Sequence, residues 1–351
     1  MGLPKDFPLP LYHHHAAGTK NTICDVPGVS VGHVTVTDKE RNIYTGVTAI
    51  LPHQGNLFQD KVQAASSVIN GFGKSAGLVQ IDELGTIESP VILTNTLSVG
   101  TGLTAAVRYA LSQNPDIGTT TGTVNSLVCE CNDGRINDIR GLHVTEDHVL
   151  SAIEEAAKSA DSGDFAEGAV GAGSGMVCLG LKGGIGSASR MLEVDGQKYH
   201  IGALVLSNFG AAGNLVIGGR HVDTRLAMER KDTGSIIMLI ATDIPLNERQ
   251  LKRVANRSAI ALGRVGSYSG NGSGDVAVAF TTANHLSHYS DKDILQVGMF
   301  YDENLDSVFE AGVEAVEEAI LSSLWHAETT TGINGKTYMG LQEFLQKFPV
   351  E

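Results

Sequence analysis

The chain has 351 residues, of which 42% are hydrophobic and 18% charged, and a formal net charge of −14 with no run of Lys or Arg. That balance supplies ample core material and argues against nucleic acid or an anionic membrane surface as partner. No apolar stretch approaches the ~18 residues of a spanning helix, and MGLPKDFPLPLYHHHAAG lacks the apolar core of a secretory signal, so a cytoplasmic location is expected.

In chain order, short apolar runs alternate with amphipathic segments, with no repeat or low-complexity linker. The His13–His15 triplet comes first, in a Pro-rich segment without adjacent Cys or acidic ligands. It reads as a local surface or interface feature rather than a metal site. Strand-like runs follow at 46–51, 90–94, 127–131, 175–181, 200–207, 235–241 and 275–281. Several are continuous Val, Ile, Leu and Ala, as in sheets covered on both faces.

Three helices are predicted. In the first, Thr145 is the N-cap, Glu146 and Asp147 occupy the first turn, and Val149, Ile153 and Ala156 share a face. The second starts after Pro245, with Asn247 and Gln250 at capping-box spacing. The third covers about 307–325, with an apolar stripe of Phe309, Val313, Val316, Ile320 and Leu324 and with Glu310, Glu314 and Glu317 on a neighbouring face. The mixture indicates stacked layers in one α/β domain. The four cysteines, Cys24, Cys129, Cys131 and Cys178, form no CxxC pair and read as buried free thiols.

The segment 263–284 carries the chemistry. Ser269-Gly270-Asn271-Gly272 runs into Ser273-Gly274-Asp275, and a strand follows. Attack by the Ser273 hydroxyl on the Gly272 carbonyl closes a five-membered ring and moves the acyl group from nitrogen to oxygen. Hydrolysis of that ester leaves Ser273 with an α-amine of pKa about 7.7–8, which can act as base for its own hydroxyl. On composition alone, a Gly-rich hairpin loop is the ordinary reading. Composition also does not choose among Ser267, Ser269 and Ser273.

The block GNGSGDVAVAFTTAN resembles the processing-site signature of the L-aminopeptidase D-Ala-esterase/amidase (DmpA) and β-aminopeptidase family. Other blocks are similar to the family in order: CDVPGVSVGHVTV, GVTAILPH, LTNTLSVG, CECNDGRINDIRG, GAVGAGSGMVCLGLKGGIGSASR, LVLSNFG, IATDIPLNERQLKRVANRSAIALGRVGS and VFEAGVEAVEEAILSSL. They span roughly 21–331. The resemblance implies an αββα sandwich, shaped like an Ntn hydrolase but differently connected. It implies self-cleavage at Gly272–Ser273 into an α chain, 1–272, and a β chain, 273–351. It further implies removal of N-terminal amino acids from short peptides, amides or esters, without metal or other cofactor, by an oligomer of αβ pairs, often four.

Roles follow residue by residue from the resemblance. Ser273 is the nucleophile, and Asn208 in LVLSNFG matches an oxyanion-hole amide, a neutral donor suited to a developing O⁻. Glu130 lies in the amine-recognition region, where a carboxylate suits a substrate ammonium. Asn95 in LTNTLSVG is a polar lining candidate. Glu317 aligns with a catalytic Glu of the last helix, with Glu314 as the alternate register. Asp275 either holds the new amine or caps the strand. Two positions depart from the pattern. Arg135 stands where the family has an active-site Tyr, and Ala315 where it has a hydroxyl. Arg135 would then recognise an acidic substrate group or repel an ammonium. The alternatives are an ornithine acetyltransferase-like acyl transferase, whose Thr nucleophile this chain lacks, and a scaffold with impaired turnover.

Overall fold

The computed structural model describes residues 2–228 and 234–350. Its strands run β1 (Ser30–Asp38), β2 (Ile43–Leu51), β3 (Asp60–Gly71), β4 (Thr86–Ile87), β5 (Val91–Asn95) and β6 (Leu127–Cys131). There follow a short hairpin, β7 (Val177–Cys178) and β8 (Leu181–Lys182), then β9 (Gly184–Val194), β10 (Gln197–Asn208) and a second small hairpin, β11 (Leu215–Ile217) and β12 (Arg220–Val222). The long strands β13 (Gly234–Thr242) and β14 (Ser273–Ser287) close the series of central strands. The helices that cover them are α1 (Leu78–Leu84), α2 (Val99–Gln113), α3 (Glu146–Lys158), α4 (Glu248–Arg264) and α5 (Leu305–Trp325).

Two sheets face each other. One has the order β1-β2-β5-β6, the other β4-β3-β14-β13-β10-β9. The first sheet is covered by α2 and α3, the second by α4 and α5. Between the sheets lies a core that includes Ile50, Leu93, Cys129, Leu206, Ile237 and Val278. The arrangement is the expected αββα sandwich. Strands buried on both faces explain the unbroken apolar runs in β5, β10 and β13.

Local signals place most elements. The Thr145 hydroxyl accepts from the His148 N–H at 3.3 Å and caps α3, and Asn247 and Gln250 form a reciprocal capping box on α4. Glycine lets layers approach. A Cβ at Gly32 would sit 2.1 Å from the Ala156 nitrogen, so α3 lies directly on β1. A Cβ at Gly186 would sit 2.0 Å from the Ala319 oxygen, so α5 lies directly on β9. The four cysteines are free thiols, three of them buried. Burial pushes the Cys24 and Cys129 thiols up to about 12, which keeps them unreactive.

Two expectations are corrected. The run 175–181 is not one strand: Leu179 and Gly180 take left-handed φ values of 50° and 88° and fold it into the β7–β8 hairpin. The last helix is not one-sided either. Glu314, Glu317 and Glu318 are buried along with its apolar stripe, because the N-terminal segment lies across its outer face, with the His14 N–H donating to Glu314 at 2.6 Å. His13 and His15 are partly buried against α5 glutamates, while His14 stays exposed and meets Glu310 at 2.6 Å, so the triplet is a local packing feature at the surface of α5.

Candidate active site

Strand polarity brings several termini together. β10 runs antiparallel to β13, and β13 parallel to β14, so Asn208 pairs with Ser235, and Ser235 with Gly274. The facing sheet ends nearby, since the Cys131 thiol donates to the Leu206 oxygen at 3.5 Å. The end of β10, the starts of β13 and β14 and the end of β6 thus border one cavity of about 300 Å³, lined among others by Thr96, Glu130, Arg135, Asn208 and Gly272. That volume suits a small ligand.

Ser273 is the first residue of β14 and is 1% exposed. Its hydroxyl donates to Asp275, two residues on and therefore on the same face of the strand. Its N–H closes a turn onto the Gly270 oxygen at 2.8 Å. Ser269 enters that turn with a left-handed φ of 52°. The Ser267 hydroxyl accepts the Ser269 N–H at 3.1 Å, an ordinary turn contact. Of the three serines, Ser273 is the one that the fold places at a strand start with its hydroxyl on a buried carboxylate.

Asn208 is held at both ends of its amide. Its Oδ1 accepts from Val177 N–H at 2.9 Å, and its Nδ2 donates to the Asn132 oxygen at 2.9 Å. The β7–β8 hairpin that supplies Val177 is anchored by Lys182, whose buried Nζ donates to the Gly173 and Gly183 oxygens at 3.1 and 2.7 Å. Burial lowers that ammonium to about 7. A fixed amide of this kind is what a preorganised oxyanion donor requires.

Glu130 is 2% exposed, yet its carboxylate faces the cavity. One oxygen accepts from Lys74 N–H at 2.8 Å, and the other accepts from the Thr96 hydroxyl. Both donors are neutral, so the negative charge is retained for a cation. Arg135 and Lys74 are exposed at the mouth. Beneath that rim Asp133 is fully buried, and burial pushes its carboxyl up to about 6.

Two predicted positions fall elsewhere. Asn95 turns away from the cavity to cap the chain: its Oδ1 accepts from Leu97 and Ser98 N–H, and its Nδ2 donates to Thr45 at 2.9 Å. Its neighbour Thr96 lines the cavity instead. Glu317 is also not brought to Ser273. Its carboxylate accepts from Arg264 at 3.0 Å and lies 3.8 Å from the His13 ring. The adjacent Glu314 and Glu318 engage Arg190, which pairs in register with Ile201 on β10. Asn208 ends that same strand, roughly 20 Å further along at ~3.3 Å per residue. Only the far end of α5 approaches the site, where Ser323 meets Ser207 at 2.5 Å. The spacing of residues within a helix fixes its faces but not which end of a sheet it crosses. Ala315 is buried in the core beside this charged group.

Asn70, Lys74, Thr96 and Asn132 were not singled out in the sequence. The Asn-Gly step at the end of β3, followed by Gly73, is the local signal that marks the first two.

The profile of Peptidase family S58 matches residues 21–338 of the chain. The chain belongs to family S58. It is 39% identical over 349 residues to the β-peptidyl aminopeptidase BapA of Sphingosinicella microcystinivorans, across 92% of this chain and 86% of that protein. Among solved structures, a Pyrococcus horikoshii OT3 protein superimposes with a TM-score of 0.91 at 48% identity, covering 99% of this chain and 98% of the other. The L-aminopeptidase D-Ala-esterase/amidase of Ochrobactrum anthropi, described as a new variant of the Ntn hydrolase fold, gives a TM-score of 0.86 at 36% identity, with 97% of each chain covered. This S58 member is accordingly a serine-type hydrolase of the aminopeptidase and amidase kind, which sets aside the acetyltransferase alternative.

Proposed function

We propose that this S58 chain cuts itself between Gly272 and Ser273 and that the freed Ser273 then removes N-terminal amino acids from short peptides, amides or esters. The observation that carries the proposal is the hydroxyl of Ser273 resting on Asp275, at the strand end where Asn208 and Glu130 converge.

In the intact chain Asp275 accepts the Ser273 proton as Oγ attacks the Gly272 carbonyl carbon. The C–N bond breaks, the proton passes to the departing nitrogen, and Gly272 is left as an ester on Oγ. Water hydrolyses the ester, giving a Gly272 carboxylate and a Ser273 with free hydroxyl and amine. In turnover that amine, with pKa about 7.7–8, takes the hydroxyl proton near neutrality. Oγ attacks the substrate carbonyl, and Asn208 donates to the developing oxyanion. Glu130 receives the substrate ammonium. The amine returns its proton to the leaving group, and water releases the acyl residue. Arg135 and Lys74 favour a carboxylate on the leaving side of the substrate. None of these steps calls on a metal or cofactor.

The same proposal includes an oligomer of four αβ pairs in the cytoplasm. Exposed Ile294, Met299 and Tyr301 supply apolar surface for such contacts. Two bands on a denaturing gel, roughly 28 and 8 kDa at ~105–110 Da per residue for an N-terminal-nucleophile split, are expected. The small band should begin Ser-Gly-Asp-Val. Fresh protein that hydrolyses aminoacyl p-nitroanilides as one uncut chain would overturn the mechanism.

A further inference from the structure

The carbonyl groups around the scissile bond share one partner. Asn70 sits near the end of β3, paired with Asp275 across the sheet. Between Asp275 and Val276 the pairing shifts, because Val276 faces Val68 and the intervening Ile69 is left over as a bulge. Bulges redirect the neighbouring side chain and recur beside active sites. Here the redirected Asn70 amide reaches the processing turn. Its Nδ2 donates to the Gly270 oxygen at 3.1 Å and the Asn271 oxygen at 3.3 Å, and it also donates to the oxygen of Ser273. These three carbonyls flank that of Gly272, which is attacked, and Gly272 lines the cavity.

We propose that Asn70 is a positioning residue for self-cleavage. The claim rests on the reading that Gly272–Ser273 is the bond that breaks. Gly270, Gly272 and Gly274 give this stretch more backbone freedom than any other residue type would. An intramolecular attack is fast only while hydroxyl and carbonyl stay in near-attack geometry. Asn70 fastens the chain on both sides of the bond, to Gly270 and Asn271 before it and to Ser273 after it. Once the bond is cut, the contacts to Gly270 and Asn271 no longer constrain the nucleophile. Ser273 is then held through its oxygen by Asn70 and by the Phe72 N–H at 3.2 Å. Cleavage therefore depends on Asn70 more than turnover does.

The test compares the cleavage rate of wild-type, Asn70→Ala and Asn70→Asp chains by pulse-chase, with turnover normalised to the matured fraction. Asn70→Asp keeps the shape of the side chain and removes its N–H donors. Both variants should slow cleavage about 10–100-fold, as expected for loss of near-attack geometry, and turnover of the matured fraction should fall by a smaller factor. In Asn70→Ala the pH dependence of cleavage should keep its shape, since the Asn70 amide does not titrate in the step. Thermal midpoints are measured in a Ser273→Ala background, where neither variant can mature, and should move little. Wild-type cleavage rates in both variants would overturn the proposal. So would slow cleavage matched by an equal loss of turnover, or by a collapse of the midpoint in both variants, since that pattern marks a general structural role. A wild-type chain that is never cut after Gly272 would instead remove the self-cleavage reading itself, and this inference with it.

Discussion

At one end of the six-stranded sheet, Arg190 on β9 is 1% exposed and meets Glu314 at 3.1 Å and Glu318 at 2.6 Å. At the other end, Gly272, Asn208 and Glu130 border a cavity, with Ser273 buried directly behind Gly272. Both ends bury carboxylates, but they satisfy them differently. Around Arg190 each charge is answered by an opposite charge, with Asn21 completing Glu318 at 2.5 Å. Around Glu130 the donors are a backbone N–H and a hydroxyl, which orient the carboxylate without cancelling it. A buried acid whose charge is already neutralised by ion pairs serves the fold. One held by neutral donors beside an opening is available to a ligand.

The sharpest way to break that comparison is at the proposed nucleophile. Ser273→Ala should abolish cleavage and reduce hydrolysis on the order of 10⁴-fold or more, read by gel and by aminoacyl p-nitroanilide assay. Residual peptidase activity near wild type would put the nucleophile elsewhere. Asn208→Ala should lower kcat about 10²–10³-fold with a smaller change in KM. At the opposite end, Arg190→Met leaves buried carboxylates unpaired and should cost about 3–5 kcal/mol of stability, measured by denaturant unfolding of the Ser273→Ala chain. Glu317→Gln should leave kcat within about twofold and cost about 1 kcal/mol, because its Arg264 partner is 41% exposed and such pairs are screened. A hundredfold fall in kcat would return Glu317 to the chemistry.

The smallest expected effect is one of pH. Burial alone would raise the Glu318 carboxyl, but the hydrogen bond with His13, the Arg190 charge and Asn21 hold it down at about 2. A depressed carboxyl contributes stability above its unfolded value of about 4.5, and that contribution is lost as pH falls towards 2. Glu318→Gln should flatten the acid limb of the melting curve between those values without altering the pH dependence of kcat near neutrality.

What was legible in the sequence divides along the same line. Caps and continuous apolar runs are local, so Thr145, Asn247 and the strands β5, β6 and β13 were readable to within a few residues. Ser273 was singled out by the family resemblance of GNGSGDVAVAFTTAN, since local composition left Ser267 and Ser269 equally open. Asn70 and Thr96 were not, because their partners lie far along the chain and meet only when β3 docks on β14 and β5 on β6. Glu317 was misplaced for the same reason: its partners are Arg264 on α4 and His13 of the N-terminal segment, both distant in sequence. Asn95 reads as a polar lining residue, but its amide is consumed by the turn before Thr96 and by Thr45.

β14 begins at the bond proposed to break and lies in the middle of its sheet, parallel to β13 on one side and antiparallel to β3 on the other. Severing the chain there removes no strand from the sandwich and separates no layer, yet it turns one polymer into two that share a single core. Folding is unimolecular before the cut. Afterwards, reassembly from the denatured state requires an encounter between two molecules and depends on their concentration. Maturation would then act as a ratchet: the chain finds its shape once while continuous, and the mature protein persists by the slowness of its unfolding rather than by its ability to refold.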